Sequence, residues 1–586
     1  MKHNINSDKK CWQNIVAVHS SHDASLIHLK DGKINYFIEE ERLTHYKHDE
    51  DPIHAMFDLK NYIKPNDGPY LHLFNCNTDY VDGVGLSNDL VEKEKFSMAR
   101  SLTKISREYD FSFMDCRWEH HLYHAAGGFY NSGFDSAACL VIDGAGAVLD
   151  GKLLETESIF TCSYDKGFQK VYGTYISAKS EHFFNPPLSY KKYNLNSGFG
   201  MIYSAVSNFL GFGYLGSGKV MGLAPYGEDD PNIESFLDKN LKIRKDLYKK
   251  WDGDVFSGLH LKENSYLKYP EELDQIYKRG EYLWEKYNVL DYKPLVNLAY
   301  RCQKDFETYV INLIKKVIKI TGQKNIVLSG GCALNCVANY EYLKYLPEGT
   351  RLYVEPICYD AGISYGSALY EWYRNSGSKE INPLKTLYLG PERKYDIPDG
   401  AYDVTPSDVI DIIEQRKLVA IFQGRSEQGP RALGNRSLLY DPRDPEGQKI
   451  VNLVKMREEF RPFAASVMLD HAHEWFDMRG MEETPFMMYA VDSYEHTWDT
   501  IPAVLHVDKT CRIQTVTREQ NENYYNLIEE FYNRTGIPML LNTSFNLGGD
   551  TICEFIQDAI DTLERSDIDY LYLPEHGKMV HIPRKY

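Results

Sequence analysis

Three histidines fall within five positions in "WEHHLYHAAGGFY", residues 118–130. On a helix, His120 and His124 stand four apart and share a face, whereas His121 points elsewhere. Two imidazoles placed that way hold a divalent metal if a third ligand arrives from another part of the chain; without one, the stretch reads as a histidine-rich surface turn. A carboxylate of the required kind lies in "EPICYDAGISYGSALYEWY" (355–373), where Asp360 precedes a glycine and a helix start. It either caps that helix or completes a His₂–Asp site. In "SSHDAS" (20–25), His22 and Asp23 sit beside small residues at a strand end, as an acid–base pair or as a capping turn.

A second group of residues suits anions. Within 423–468 the chain carries Arg425, Arg431, Arg436, Arg443, Lys455, Arg457 and Arg461 among Gly, Pro and Ser. Guanidinium forks bind phosphates bidentately and stabilise charge in phosphoryl or nucleotidyl transfer. "GIPMLLNTSFNLGGD" (536–550) adds Asn542, Thr543, Ser544 and Asn546 after an apolar strand, compact donors and acceptors for an amide or phosphate. In "YLGSGKVMGLAPYG" (214–227), glycines including Gly218 surround Lys219, a loop suited to a phosphate or diphosphate although not in the Walker pattern. Asp143 and Gly144 close "AACLVIDGAG" (137–146), and Gly330, Gly331 and Asn335 lie in "KNIVLSGGCALNCVAN" (324–339). Strand, glycine turn and helix in that order let a backbone approach a nucleotide phosphate, so these seven positions are candidate cofactor contacts.

The elements that must position these groups alternate between strand and helix. "NIVAVHS" and the runs flanking "KDG" read as strands, the latter two as a hairpin. Pattern thins to Pro, Gly, Ser and charge over 376–404, a linker between a first α/β domain (1–375) and a second (405–586) that opens with a helix at 405–416. A chain of 586 residues is too long for one core. Its 43% hydrophobic and 26% charged content is that of a globular protein, and no apolar run is long enough to cross a bilayer. The start, "MKHNINSDKKCWQN", lacks the apolar region of a signal peptide, and eleven unevenly spaced cysteines build no disulfide framework. The expectation is a reducing, cytoplasmic location, with Cys332 and Cys336 as small buried hydrophobes. A net charge of −18 argues against broad nucleic-acid binding without excluding a local basic groove.

Taken together, "HDAS", "EERLTHYKHD", "HHLYHAA", "GKVMGLAPYG", "LSGGCALNCVAN", "DAGISYGSAL", "EQGPRALGNRS", "REEFRPFAASV" and "LNTSFN" occur in the order of one family. Over nearly its full length the chain resembles the O-carbamoyltransferases of the NodU/CmcH type. The resemblance implies an amino-terminal actin-like ATPase domain, a duplicated α/β fold, followed by a YrdC-like α/β domain. It implies that carbamoyl phosphate and ATP give carbamoyl-adenylate and pyrophosphate, and that an acceptor hydroxyl then takes the carbamoyl group. Carried across motif by motif, Arg431, Ser437, Lys455, Arg457, Arg461, Asn542 and Ser544 would serve the YrdC-like site, with Mg²⁺ accompanying ATP. His120, His124 and Asp360 would hold iron(II) or a similar ion, Lys47 would contact the carbamoyl or phosphate portion, and His22, beside Asp23, would be the base.

The acceptor stays open between a sugar, antibiotic or natural-product hydroxyl and a hydroxymethylated pyrimidine, so nucleic acid enters only as an acceptor. A homodimer is compatible with the sequence. Transfer of threonylcarbamoyl to tRNA and non-catalytic nucleotide binding are the rival readings. The family pattern reads "HHxAHAASAF" where this chain has "HHLYHAAGGFY"; Tyr123 and Gly127–Gly128 keep the ligand spacing and are expected to reshape the acceptor pocket.

Overall fold

The computed structural model describes residues 12–76, 109–149, 153–177, 194–196, 198–244, 247 and 288–583. The stretch read for a signal peptide lies, up to Cys11, outside them. Among the described residues, three sheets organise the fold. The first contains β1 (Asn14–Ser20), β2 (Ser25–Lys30), β3 (Lys33–Glu39), β4 (Tyr70–Cys76) and β5 (Phe111–Asp115) in the order β3-β2-β1-β4-β5. β1 runs antiparallel to β2 and parallel to β4. The expected hairpin joins β2 to β3 through Asp31 and Gly32, at φ of 50° and 76°, the two positive values that a type I′ turn needs.

After α1 (His120–Asn131), the same pattern returns in β6 (Ser136–Ile142), β7 (Leu153–Ser163), β8 (Gly167–Ser177) and the edge strand β9 (Asn194–Leu195). A long helix, α2 (Lys293–Thr321), leads into β10 (Asn325–Ser329), α3 (Cys336–Tyr342), β11 (Arg351–Val354) and α4 (Ala361–Ser376). The order is β9-β8-β7-β6-β10-β11, with β6 antiparallel to β7 and parallel to β10. Two sheets with one order and one set of directions are the duplicated α/β arrangement. The strands nearest their centres, β1 and β6, are buried almost throughout and read as continuous apolar runs.

Residues 377–401 form no helix or strand. The third sheet then takes β12 (Tyr402–Asp403), β13 (Val419–Phe422), β14 (Arg436–Tyr440), β15 (Ala464–Met468), β16 (Ala490–Asp492), β17 (Thr510–Val516), β18 (Met539–Ser544), β19 (Tyr570–Leu573) and β20 (Lys578–His581). It is mixed, in the order β12-β20-β19-β13-β14-β18-β15-β17-β16. The predicted helix that opens this unit spans Pro406–Glu414, started by a capping box between Thr405 and Asp408.

One apolar cluster runs through both units, and a smaller one around Val16, Val18, Leu26 and Ile38 covers the other face of the first sheet. The described cysteines are free, with Cys336 buried and Cys332 half-buried. Among the described residues no helix is long and apolar enough to cross a membrane.

α1 matters most for position. Eleven of its twelve residues are buried, so it is held from every side and shows no polar face. It crosses α4 where two glycines meet: a Cβ on Gly127 would sit 3.6 Å from Gly366 Cα, and one on Gly366 would sit 2.0 Å from the Tyr123 carbonyl. On the sheet side, a Cβ on Gly128 would meet Val327 at 2.6 Å. Gly127 and Gly128 therefore pack helix α1 closely against its neighbours.

Candidate active site

His120 and His124, one turn apart at the start of α1, bring their Nε2 atoms to 3.2 Å of each other. Asp143 follows β6, and Asp360 stands at the N-cap position of α4 without any side-chain cap bond. Instead of capping, its Oδ1 lies 3.6 Å from His120 Nε2 and 3.8 Å from His124 Nε2. Asp143 Oδ2 lies 3.1 Å from the first and 3.7 Å from the second. One ligand atom from each of the four residues falls within 4.8 Å of the others, and all four residues are buried. Donors roughly 2.0–2.2 Å from a shared ion stand about 3–3.6 Å apart, so this set fits a divalent cation. Two imidazoles and two carboxylates also match the ligand chemistry of such an ion.

Charge argues the same way. Burial works against ionising Asp360, yet His22, His120, His124 and His19 hold it well below the usual carboxylate range. Burial likewise opposes protonation of His124, but Asp143 and Asp360 raise it to about 9. His121 leaves the group as predicted, with Nδ1 2.7 Å from the Ser158 hydroxyl. Asp143 was expected to contact a nucleotide; its Oδ1 accepts the Gly144 N–H (2.8 Å) and the Gly331 N–H (3.3 Å), while Oδ2 faces the histidines. The aspartate at the strand end was visible in the sequence, but its partners were not. His19, wholly buried and 3.5 Å from Asp360 Oδ2, had no sequence signal beyond its place at the end of β1.

His22 and Asp23 occupy the turn after β1. His22 Nδ1 is 3.1 Å from Asp23 Oδ2 and its Nε2 is 3.5 Å from Asp360 Oδ2. Burial opposes its charge, but Asp360, Asp23 and Asp143 raise the ring to about 10. Asp23 Oδ1 meets His48 Nδ1 at 2.6 Å, a direct hydrogen bond that the sequence did not announce. Beside His48, Lys47 is exposed, and desolvation first, then the charges of Arg461 and Lys219, hold its ammonium below the ordinary lysine value.

In the second unit, Arg431, Lys455, Arg457 and Arg461 converge, joined by Arg512 from β17. Burial first, then Arg431 and Arg461, pull Arg512 down to about 10. Burial, Arg461 and Arg512 hold Arg457 well below the ordinary arginine value, and burial, Arg457, Arg461 and Lys47 hold Lys455 well below that of lysine. Lys455 donates to the Ser544 and Asn546 carbonyls and to Asn546 Oδ1. Ser437 Oγ accepts the Gly434 N–H at 3.0 Å, and Asn542 donates to the Ala432 carbonyl and Ser466 Oγ. Both shape the loop before β14, as does buried Glu427, whose Oε1 accepts from Leu433 and Asn435.

Other arginines of the cluster serve the fold. Arg425 bonds the Leu389 and Gly390 carbonyls, Arg436 bonds three carbonyls over the Phe422 ring, and Arg443 pairs with Asp441 and Glu414.

The remaining candidates lie around the seam between the units. Gly218 and Lys219 belong to the short helix Ser217–Leu223, and Lys219 Nζ reaches Glu458 at 2.5 Å. Gly330 begins the turn after β10. Asn335 caps α3 through the Ala338 N–H and exchanges amide bonds with Gln303. A small pocket lined by His19, Asn75, Cys116, Arg117, Tyr123 and Ile363 adjoins His120.

Two family models match this chain, Carbamoyltransferase N-terminus over residues 78–369 and Carbamoyltransferase C-terminus over 410–578. Nodulation protein NolNO of Sinorhizobium fredii is 31% identical over 580 residues, covering 94% of this chain and 78% of its own. Nodulation protein NolO of Bradyrhizobium diazoefficiens is 32% identical over 469 residues, 77% of each chain. Nodulation protein U of Rhizobium tropici is 33% identical over 258 residues, 43% of each.

Proposed function

Because the chain belongs to the carbamoyltransferase family, we propose that it transfers the carbamoyl group of carbamoyl phosphate to a hydroxyl in two steps, the first of which consumes ATP. The observation that carries this reading is the contact of Lys219, from the first unit, with Glu458 of the second, which pairs in turn with Arg461 at 3.2 Å. Lys47, one position from His48 of the base turn's network, also carries an ammonium held down by the charges of Arg461 and Lys219. Anion-handling and acid–base residues are therefore drawn toward one boundary between the units.

In the first step Arg431, Arg457, Arg461, Arg512 and Lys455 draw together two anions that repel each other, ATP and carbamoyl phosphate. Atoms balance if water cleaves carbamoyl phosphate to carbamate and inorganic phosphate. A carbamate oxygen then attacks the α-phosphorus of ATP, and pyrophosphate leaves. Mg²⁺ arriving with ATP shares the charge on the departing pyrophosphate.

In the second step the acceptor oxygen attacks the carbamoyl carbon, the bond to AMP breaks, and the hydroxyl proton passes to His22 Nε2, with Asp23 fixing Nδ1 on the other side of the ring. A divalent ion, iron(II) or similar, held by His120, His124, Asp143 and Asp360 would polarise the carbamoyl oxygen and offset the carboxylate charge that otherwise keeps His22 protonated. The adenylate passes internally between the two units, since it hydrolyses readily in water. The acceptor offers a hydroxyl on a small arm, of a sugar, an antibiotic, a natural product or a hydroxymethylated pyrimidine.

Labelled carbamoyl phosphate and ATP, supplied with a panel of such hydroxyl compounds, test the reading. Pyrophosphate release should require carbamoyl phosphate, and His124→Ala should abolish product while sparing that release. Equal loss of both half-reactions in a folded variant would refute the division between units.

A further inference from the structure

The two units are tied at one buried point that neither site uses. Glu39 ends β3, and its carboxylate faces both ways. Oε1 accepts the Gly429 N–H at 2.9 Å and Oε2 accepts the Tyr359 O–H at 2.7 Å. Arg42, three residues on, donates from Nη2 to the Gly429 carbonyl at 3.0 Å and lies 3.7 Å from Glu39. Both backbone groups of one C-terminal residue are thus gripped by side chains of the first unit. Glu39 and Arg42 are 2% and 1% exposed.

Gly429 has φ of +106°, which suits glycine, and its peptide lies against Pro356 and Ile357, in the stretch that leads to Asp360. Tyr359 precedes the metal-ligand candidate Asp360, and Gly429 stands two residues before the cationic Arg431.

Simple adhesion does not account for this choice. The units are also joined by Arg393 to Asp58 and Glu554, by His506 Nε2 on the Gly222 carbonyl at 2.8 Å, and by Lys219 on Glu458. Burying a glutamate and an arginine is costly, and a polar contact elsewhere would serve adhesion as well. None of those contacts involves Asp360 or a residue beside it, so none links the cationic surface to the metal-ligand loop. The Glu39 clamp does, through a single peptide and one phenol.

We propose that Glu39, Arg42 and Tyr359 are positioning residues that register the Arg431 arm against the Asp360 loop and thereby keep the activated carbamoyl group from escaping to water between the two steps. This rests on the two-step reading above. Escape means that water adds to the carbamoyl carbon, the bond to AMP breaks, and carbamic acid and AMP are released.

The test uses the full chain with only ATP, carbamoyl phosphate and labelled pyrophosphate, so no acceptor need be known. The wild type should exchange pyrophosphate into ATP while releasing AMP slowly. Tyr359→Phe, which deletes one hydroxyl, and Arg42→Lys, which keeps the charge, should each leave exchange within about twofold but raise AMP release roughly 5- to 10-fold, the scale on which misplaced supporting groups act. Unchanged AMP release in both folded variants, or exchange and release falling in parallel, would overturn the clamp and leave the two-step reading standing. If the wild type itself shows no exchange dependent on carbamoyl phosphate, the two-step reading fails, and the clamp with it.

Discussion

In the first unit, two carboxylates and two imidazoles converge from three segments, at 120–124, 143 and 360. In the second, Arg431, Lys455, Arg457, Arg461 and Arg512 converge from three others, and burial together with the neighbouring cations depresses Lys455, Arg457 and Arg512. One site gathers ligands for a cation and the other gathers cations for anions. The contrast teaches that a protein of net charge −18 keeps a local excess of positive charge only where burial and strand pairing enforce it.

Opposite charge also makes the sites separable. Arg512→Ala should cut carbamoyl-phosphate-dependent pyrophosphate release by about 10²–10³-fold, the cost of losing a group that stabilises developing charge. Bound metal content should stay unchanged. Asp143→Asn should do the reverse, lowering metal content and transfer by more than about 100-fold while pyrophosphate release persists. Metal analysis and a pyrophosphate assay on both variants check this; a loss of both bound metal and pyrophosphate release in either one erases the distinction.

How far the sequence exposes each site follows from the same contrast. His120 and His124 were legible because helix periodicity places two imidazoles together, whereas Asp360 stood open between a helix cap and a ligand until the family resemblance favoured the ligand. Asp143 drew notice for its glycine neighbours, which suggested a nucleotide; only the parallel pairing of β6 with β10 turns it to the histidines. Arg512 could not be found. It stands alone in "CRIQTV", and only β17 lying beside β15 carries it to the other cations. Arginine density over-reported the cationic site, since Arg425, Arg436 and Arg443 serve the backbone and acidic neighbours.

His48 is the intermediate case, a residue in a recognised motif whose partner, Asp23, lies 25 positions away. His48→Gln should slow transfer by roughly 10-fold without slowing pyrophosphate release, because it steadies Asp23, which orients His22. Equal effects on both steps would place His48 with the anion site.

The smallest effect is expected just behind the metal ligands, at Glu355. Its carboxylate is buried against Asn131, whose amide donates to both oxygens at 3.2 and 3.1 Å. Burial raises its pKa to about 7. In the unfolded chain it ionises near the ordinary glutamate value, so between roughly pH 4.5 and 7 the unfolded state sheds a proton that the folded state keeps. Stability from this group therefore falls as pH rises through that window and levels off above it. Glu355→Gln, which cannot ionise, should remove that slope. Urea unfolding at pH 5 and pH 8 should show the wild type losing on the order of 1–3 kcal/mol more than the variant across the interval. Identical losses would mean that the folded protein ionises Glu355 as easily as water does, and that the floor beneath α1 is wetter than its packing implies.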